Sequence, residues 1–240
     1  YPIFVVLYKV FYYVHTDILS WLVFKYNYRV SLAYEIFFDN GKPIYLVGTT
    51  TWNTEVYDTL KYQRKTEIIS MEDLETKSKD DLENHQYFCN AGFVGLKKNI
   101  VDTILKHVDS PNFVSLVSNQ AVVHKETKIG KGVLVCPTAL IPGPCDIGDF
   151  CTINHFTMVG HGFSKLGSFV FTGAYVNIGN CDLAEGTWVG SSSKLDRVKT
   201  VPYCQFYMNS RVKNQDIATS GTYKNTKMLK AENSLQLDIN

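Results

Sequence analysis

Residues Ile129 to Gly160 read IGKGVLVCPTALIPGPCDIGDFCTINHFTMVG, and every sixth position is aliphatic: Ile129, Val135, Ile141, Ile147, Ile153 and Val159. The series extends upstream through Val123 to Val117. Neither the 3.6-residue period of a helix nor the two-residue period of a strand produces this spacing. Glycine often follows the aliphatic residue, as in Ile129-Gly130, Ile147-Gly148 and Val159-Gly160. Short repeats of this kind mark a solenoid whose coils stack on their neighbours. One aliphatic side chain points inward from each flat face and small residues turn the corners, so three units close a triangular coil of about 18 residues. The spacing predicts a parallel β-helix over residues 117–212.

The register changes twice downstream. Leu166 lies seven residues after Val159, and the series resumes through Thr172 to Ile178; it then shortens to Leu183 and continues through Val189 and Leu195 to Val201. One residue is inserted and one removed, which restores the stacking. The insertion follows His161, and irregular backbone tends to sit beside functional sites.

Residues 43–116 carry a different pattern. The apolar run Pro43-Ile44-Tyr45-Leu46-Val47 ends in Gly48 and is followed by a helical run through Glu55, Val56, Tyr57 and Leu60. Thr66–Ser70 reads as a strand leading into Glu72-Asp73. Gln86–Cys89 reads as another, ending in Asn90-Ala91-Gly92 before Leu96, Ile100, Ile104 and Leu105 at helical spacing. Strands alternating with helices imply a small parallel sheet that binds ligands at the carboxyl ends of its strands. Lys77-Ser78-Lys79-Asp80-Asp81 reads as a solvated connection.

The chain has 240 residues, six cysteines and a formal charge of +1. That charge gives no basic footprint for nucleic acid. The cysteines form no CxxC pair and read as reduced thiols of a cytoplasmic protein. Residues 1–42 are rich in aromatic side chains, but Lys9, Asp17, Lys25 and Arg29 interrupt them. A spanning helix needs about 20 mostly apolar residues, so membrane contact is not expected. This extension is read as packed, with a helix from Thr16 to about Tyr26, covering an open solenoid end or linking to a further domain. The start at Tyr1 rather than Met points to a longer parent polypeptide. Residues 213–240 read as a polar cap, with a helix possible over Thr226–Ala231.

The two patterns in this order resemble the PglD/NeuD-like sugar acetyltransferases, in which a short Rossmann-like domain precedes a left-handed β-helix and three subunits assemble side by side. The resemblance covers about residues 43–225. It implies acetyl-CoA as donor and the amine of a UDP- or dTDP-linked 4-amino-4,6-dideoxy sugar as acceptor, without a metal. It assigns the nucleotide sugar to Gly48, Thr49, Thr50, Glu72, Asp73, Asn90 and Gly92. Asn154 and His161 match the family's asparagine and general-base histidine, and Gly179, followed by Asn180, matches its oxyanion donor. Gly173, Ala174, Gly190 and Ser191 stand where small residues lie against pantetheine. Ser220–Lys224 sits near the family's closing segment. Three departures stand out: the loop after Gly48 lacks further glycines, Gly162 replaces an acidic residue, and Phe171 stands where some members carry a second histidine.

Amine attack on a thioester needs a neutral amine, an aligned carbonyl and a donor for the developing oxyanion. An imidazole with an ordinary pKa of about 6.5 can take the amine's proton at neutral pH. His161 is the first choice for this task. His155, one face earlier in the coil, is its rival, and residues from two subunits could share one site. The bland reading of either is a hydrogen-bonded corner residue. A metal reading would need three converging imidazoles, and the solenoid interior offers two. Glu72 and Asp73 could as well cap the next helix, and Trp188 reads as part of a packed face. Two further functions stay open: O-acetylation of a sialic acid, and a non-catalytic nucleotide-sugar-binding solenoid.

Overall fold

The structure is a computed structural model that describes residues 32–160 and 162–230. Tyr1–Ser31, with the helix expected from Thr16, and His161 lie outside the described residues.

The front of the chain builds a three-stranded parallel sheet. Strand β1 (Tyr34–Phe37) stands apart from it; β2 (Ile44–Val47) is its centre, flanked by β3 (Thr66–Ile69) and β4 (Gln86–Phe88). All four residues of β2 are buried, as an apolar run covered on both faces requires. The connections are helices α1 (Thr51–Leu60), α2 (Met71–Thr76) and α3 (Lys79–Glu83), and α4 (Val94–His107) follows β4. The connection expected at Lys77–Asp81 thus contains a short helix, because the Ser78 side chain accepts from Asp81 N and caps it.

From Ser115 onward the chain coils as a left-handed parallel β-helix. One face stacks Val117, Val135, Ile153, Thr172, Val189, Phe206 and Tyr223 in register. The six-residue series lines the interior, together with a second inward column two residues before each member: Val133, Ala139, Cys145, Cys151, Thr157, Ser164, Val170, Val176, Cys181, Thr187 and Ser193 are all buried. This column accounts for three of the six cysteines, and Cys204 continues it ahead of Phe206.

Past the insertion the coil does not return to its earlier length. Thr172 pairs with Val189 and Val189 with Phe206, and Ile178 with Leu195 and Leu195 with Val212. These steps are a residue shorter than those from Val117 to Val135 and on to Ile153. The removed residue is therefore lost again in each later coil. The seven-residue strands Lys194–Thr200 and Arg211–Ile217 run around the corner that earlier coils break. Thr200, paired with Ile217, holds the strand position expected for Val201, which is half-buried. Both ends are covered: β1 pairs antiparallel with Ser115–Ser118, and the strand Lys227–Lys230 pairs antiparallel with Gly221–Lys224. Where the described residues cover it, the helix expected over Thr226–Ala231 is this closing strand.

Corners are turned by residues in the left-handed region. Gly132, Phe150, Phe169, Gly186 and Tyr203 occupy equivalent corners, all with positive φ. Phe150 and Phe169 stack at 4.9 Å. A Cβ on Gly132 would meet Phe150 Cδ1 at 2.4 Å, so glycine leaves room for that ring. From Ala33 onward, the front sheet and the coil belong to one compact unit among the described residues.

Candidate functional site

The carboxyl end of the parallel sheet faces the outer side of the coil, and a cleft of about 220 Å³ opens between them. Trp52, Gly92 and Phe93 line it from the front, and Asn154, Phe171, Gly173, Trp188 and Ser191 from the coil. The lining side chains are aromatic, small, hydroxyl or amide, and none is charged. Trp52 meets Phe171 edge-on at 6.0 Å, and Phe171 lies parallel to Trp188 at 6.0 Å. Trp188 Nε1 donates to the Gly92 carbonyl at 3.2 Å. Trp188 is thus both part of a packed face and a wall of the cleft.

A buried network holds the front wall. Gly48 closes β2 with φ +98°, and a Cβ there would meet Ile100 Cδ1 at 2.9 Å. Asn53, fully buried, donates from Nδ2 to the carbonyls of Val47 and Gly48 at 2.8 and 2.7 Å, and its Oδ1 accepts from Asn90 N. Thr50 caps α1 and donates to the Asn90 carbonyl at 2.8 Å. Asn90 Oδ1 accepts from Thr152 Oγ1 of the coil at 3.0 Å, while its buried Nδ2 makes no hydrogen bond among the described residues. Thr152 Oγ1 accepts from Lys97 Nζ at 2.7 Å. Sequence reading missed Lys97, Asn53 and Thr152. Lys97 left a signal, since it shares the α4 face of Val94, Val101 and Ile104, where an apolar residue is due.

The sequence-derived candidates are dispersed. Gly92, Asn154, Gly173 and Ser191 line the cleft. Asn90 lies behind its front wall, and Thr49 is exposed at the end of β2. Thr50 spends its hydroxyl on the α1 cap and the Asn90 carbonyl. Asp73 forms a capping box with Ser70, whose N–H donates to Asp73 Oδ2 at 2.6 Å and holds the carboxyl below the usual range. Glu72 beside it is exposed. Gly173 and Gly190 are explained by coil stacking: a Cβ would meet Ser191 N and Met208 N at 2.6 Å each. Ala174 is half-buried beside Gly173. Gly179 is buried in the ladder between Gly160 and Asp196.

Asn154 is buried, and its Oδ1 accepts both the backbone N–H of His155 and the His155 ring at 2.8 Å. The backbone donor identifies that atom as the amide oxygen. Nδ1 of the neutral ring therefore carries the proton, which leaves Nε2 able to accept one. His161, the other candidate base, lies outside the described residues; its flanking Gly160 and Gly162 are not among the cleft-lining residues.

No family model and no curated protein matches the sequence. Solved structures do match. WeeI from Acinetobacter baumannii AYE is 16% identical with a TM-score of 0.66, over 78% of this chain and 99% of that one. PerB from Caulobacter crescentus, solved in complex with CoA and GDP-perosamine, is 17% identical with a TM-score of 0.51, over 80% and 99%. The acetyltransferase domain of PglB from Neisseria gonorrhoeae FA1090, in complex with acetyl coenzyme A, is 14% identical with a TM-score of 0.52, over 79% and 100%. The likeness spans both the front sheet and the coil, and the fold is that of these acetyltransferases. Among the described residues, no helix is long and apolar enough to cross a membrane.

Proposed function

We propose that the chain is an acetyl-CoA-dependent N-acetyltransferase acting on a nucleotide-linked amino sugar, the acceptor being a 4-amino-4,6-dideoxy hexose on UDP or dTDP. The observation that carries this reading is the cleft: it joins the carboxyl ends of a parallel sheet, where nucleotides bind, to the coil face bearing Asn154 and Gly173. Solved relatives of this fold hold CoA and a nucleotide sugar in one complex. An uncharged, aromatic lining suits a deoxy sugar's apolar ring face and supplies no cation for a sialic acid carboxylate, which favours the nucleotide sugar over that alternative.

The amine attacks the thioester carbonyl carbon; the C–N bond forms, the C–S bond breaks, and CoA leaves as its thiol. His161 takes the amine proton, with His155 as the second choice, and the Gly179 N–H faces the oxyanion. Thr49 and Glu72, both exposed, reach toward the nucleotide; Gly173, Ala174, Gly190 and Ser191 line the pantetheine path. The assembly is a homotrimer in which a neighbouring subunit brings His161 to the cleft.

The test is product identity. Acetyl-CoA is incubated with UDP-, dTDP- and GDP-linked amino sugars and with sialic acid, and each acceptor is analysed by mass spectrometry. A single acetyl on the amine of one nucleotide sugar is expected. Acetylation of a sialic acid hydroxyl alone would replace this reading with the O-acetyltransferase, and no acetylation beside saturable binding would leave a binding module.

A further inference from the structure

Lys97 is 3% exposed, one turn into α4, and reaches out of its own helix into the coil. Its Nζ donates to the Phe150 carbonyl at 2.9 Å and to Thr152 Oγ1 at 2.7 Å. No carboxylate pairs with it among the described residues. A charged ammonium would be costly here, because the side chain is buried and the positive end of α4 is close. Burial pushes its pKa down. Both of its hydrogen bonds go to coil atoms, one to a carbonyl and one to a hydroxyl.

The Thr152 contact leads to the cleft from both of its ends. Gly92 and Phe93, on the front wall, immediately precede α4, and the Phe93 carbonyl accepts from Lys97 N at 3.0 Å. Asn154, on the opposite wall, lies two residues beyond Thr152. Thr152 also ties to Asn90, and through it to Asn53 and the Gly48 turn. We propose that Lys97 is the positioning residue of the cleft, an amine that fastens its front wall to its coil wall and sets the separation across which the nucleotide sugar and the acetyl group meet. This role rests on the acetyltransferase reading for its consequence, though not for its geometry.

The test compares Lys97→Met, Lys97→Arg and the double variant Lys97→Met/Thr152→Val in a Trp21→Phe background, where Trp52 and Trp188 are the only indoles. Three quantities are measured: the melting temperature, acrylamide quenching of tryptophan fluorescence, and KM for the nucleotide sugar and for acetyl-CoA. Lys97→Met strands two buried acceptors and lowers the melting temperature. The double variant removes one of them but strands Asn90 Oδ1, which Thr152 served, so it is expected to melt no higher than Lys97→Met. Both variants are expected to show altered quenching and a KM for the nucleotide sugar raised about tenfold, with KM for acetyl-CoA near wild type. Arginine, too large for the site, is expected to rescue neither. Quenching and nucleotide-sugar KM that stay at the wild-type values while the melting temperature falls would overturn the proposal and leave Lys97 a structural residue. Absence of turnover in the wild type would sink the acetyltransferase reading instead, and quenching would then decide the positioning role alone.

Discussion

Gly162 is held at φ +107°, and a Cβ built on it would come within 1.9 Å of Asn180 Oδ1. A side chain there would push the exposed Asn180 amide aside and would itself be held in a strained backbone conformation. Gly162→Asp, which supplies the carboxylate the family resemblance implies, is expected to lower stability by about 1–3 kcal/mol through left-handed strain, with no gain in kcat. Thermal melts and initial rates check this, and a variant that melts with the wild type would refute the strain. Asp73 shows the opposite outcome, a candidate ligand occupied by a local task. Its carboxylate accepts from the Ser70 N–H, so its folded pKa is depressed. Its capping contribution is therefore present above the ordinary carboxylate pKa and is lost as pH falls through the lower, folded value. Asp73→Asn is expected to lower the melting temperature slightly at pH 7 and progressively less as pH falls below the ordinary carboxylate range, and to leave KM for the nucleotide sugar unchanged. A large rise in that KM would return Asp73 to the binding site.

At the scale of the element, the coil was legible where its residues are aliphatic and opaque where they are not. The inward series from Val117 to Val159 needs no structure to be seen. The second inward column mixes Val, Ala, Cys, Thr and Ser, so no single property marks it, yet it fixes how much volume each corner can hold. The shorter later coils were hidden for a related reason. Val201 continues the spacing of six, but the strand Lys194–Thr200 rounds its corner and puts Thr200 in register with Ile217. Cysteines in the second column follow packing, not redox chemistry. Burial pushes the Cys151 thiol up to about 12 and that of Cys181 to about 11. Native protein is therefore expected to leave all six thiols unmodified by Ellman's reagent at pH 8 and to react only on unfolding, which a labelling time course against a melt will show. Cys151→Leu, which overfills the column, is expected to cost about 1–3 kcal/mol.

Over the whole molecule, the front sheet was legible from its strand–helix alternation, and its role as one wall of a cleft was not. That role depends on contacts far apart in the chain: Trp188 to Gly92, Lys97 to Thr152, Thr152 to Asn90. Candidates read from a linear pattern accordingly divided. Asn154, Gly92, Gly173 and Ser191 meet at the cleft, while Thr50 and Asp73 serve local caps. If the base comes from a neighbouring subunit, mixed assemblies of Asn154→Ala and His161→Ala chains will contain intact sites, and activity is expected to rise well above that of either parent; mixtures no more active than their parents would place each site within one chain. The most direct test of the account is the rate of thiol release from acetyl-CoA with a nucleotide-linked amino sugar, measured for wild type, His161→Ala and His155→Gln together. The account expects turnover that falls by about a hundredfold or more in His161→Ala and much less in His155→Gln, the scale of a lost general base. Thiol release no faster than background in the wild type, with every nucleotide sugar tried, would contradict it.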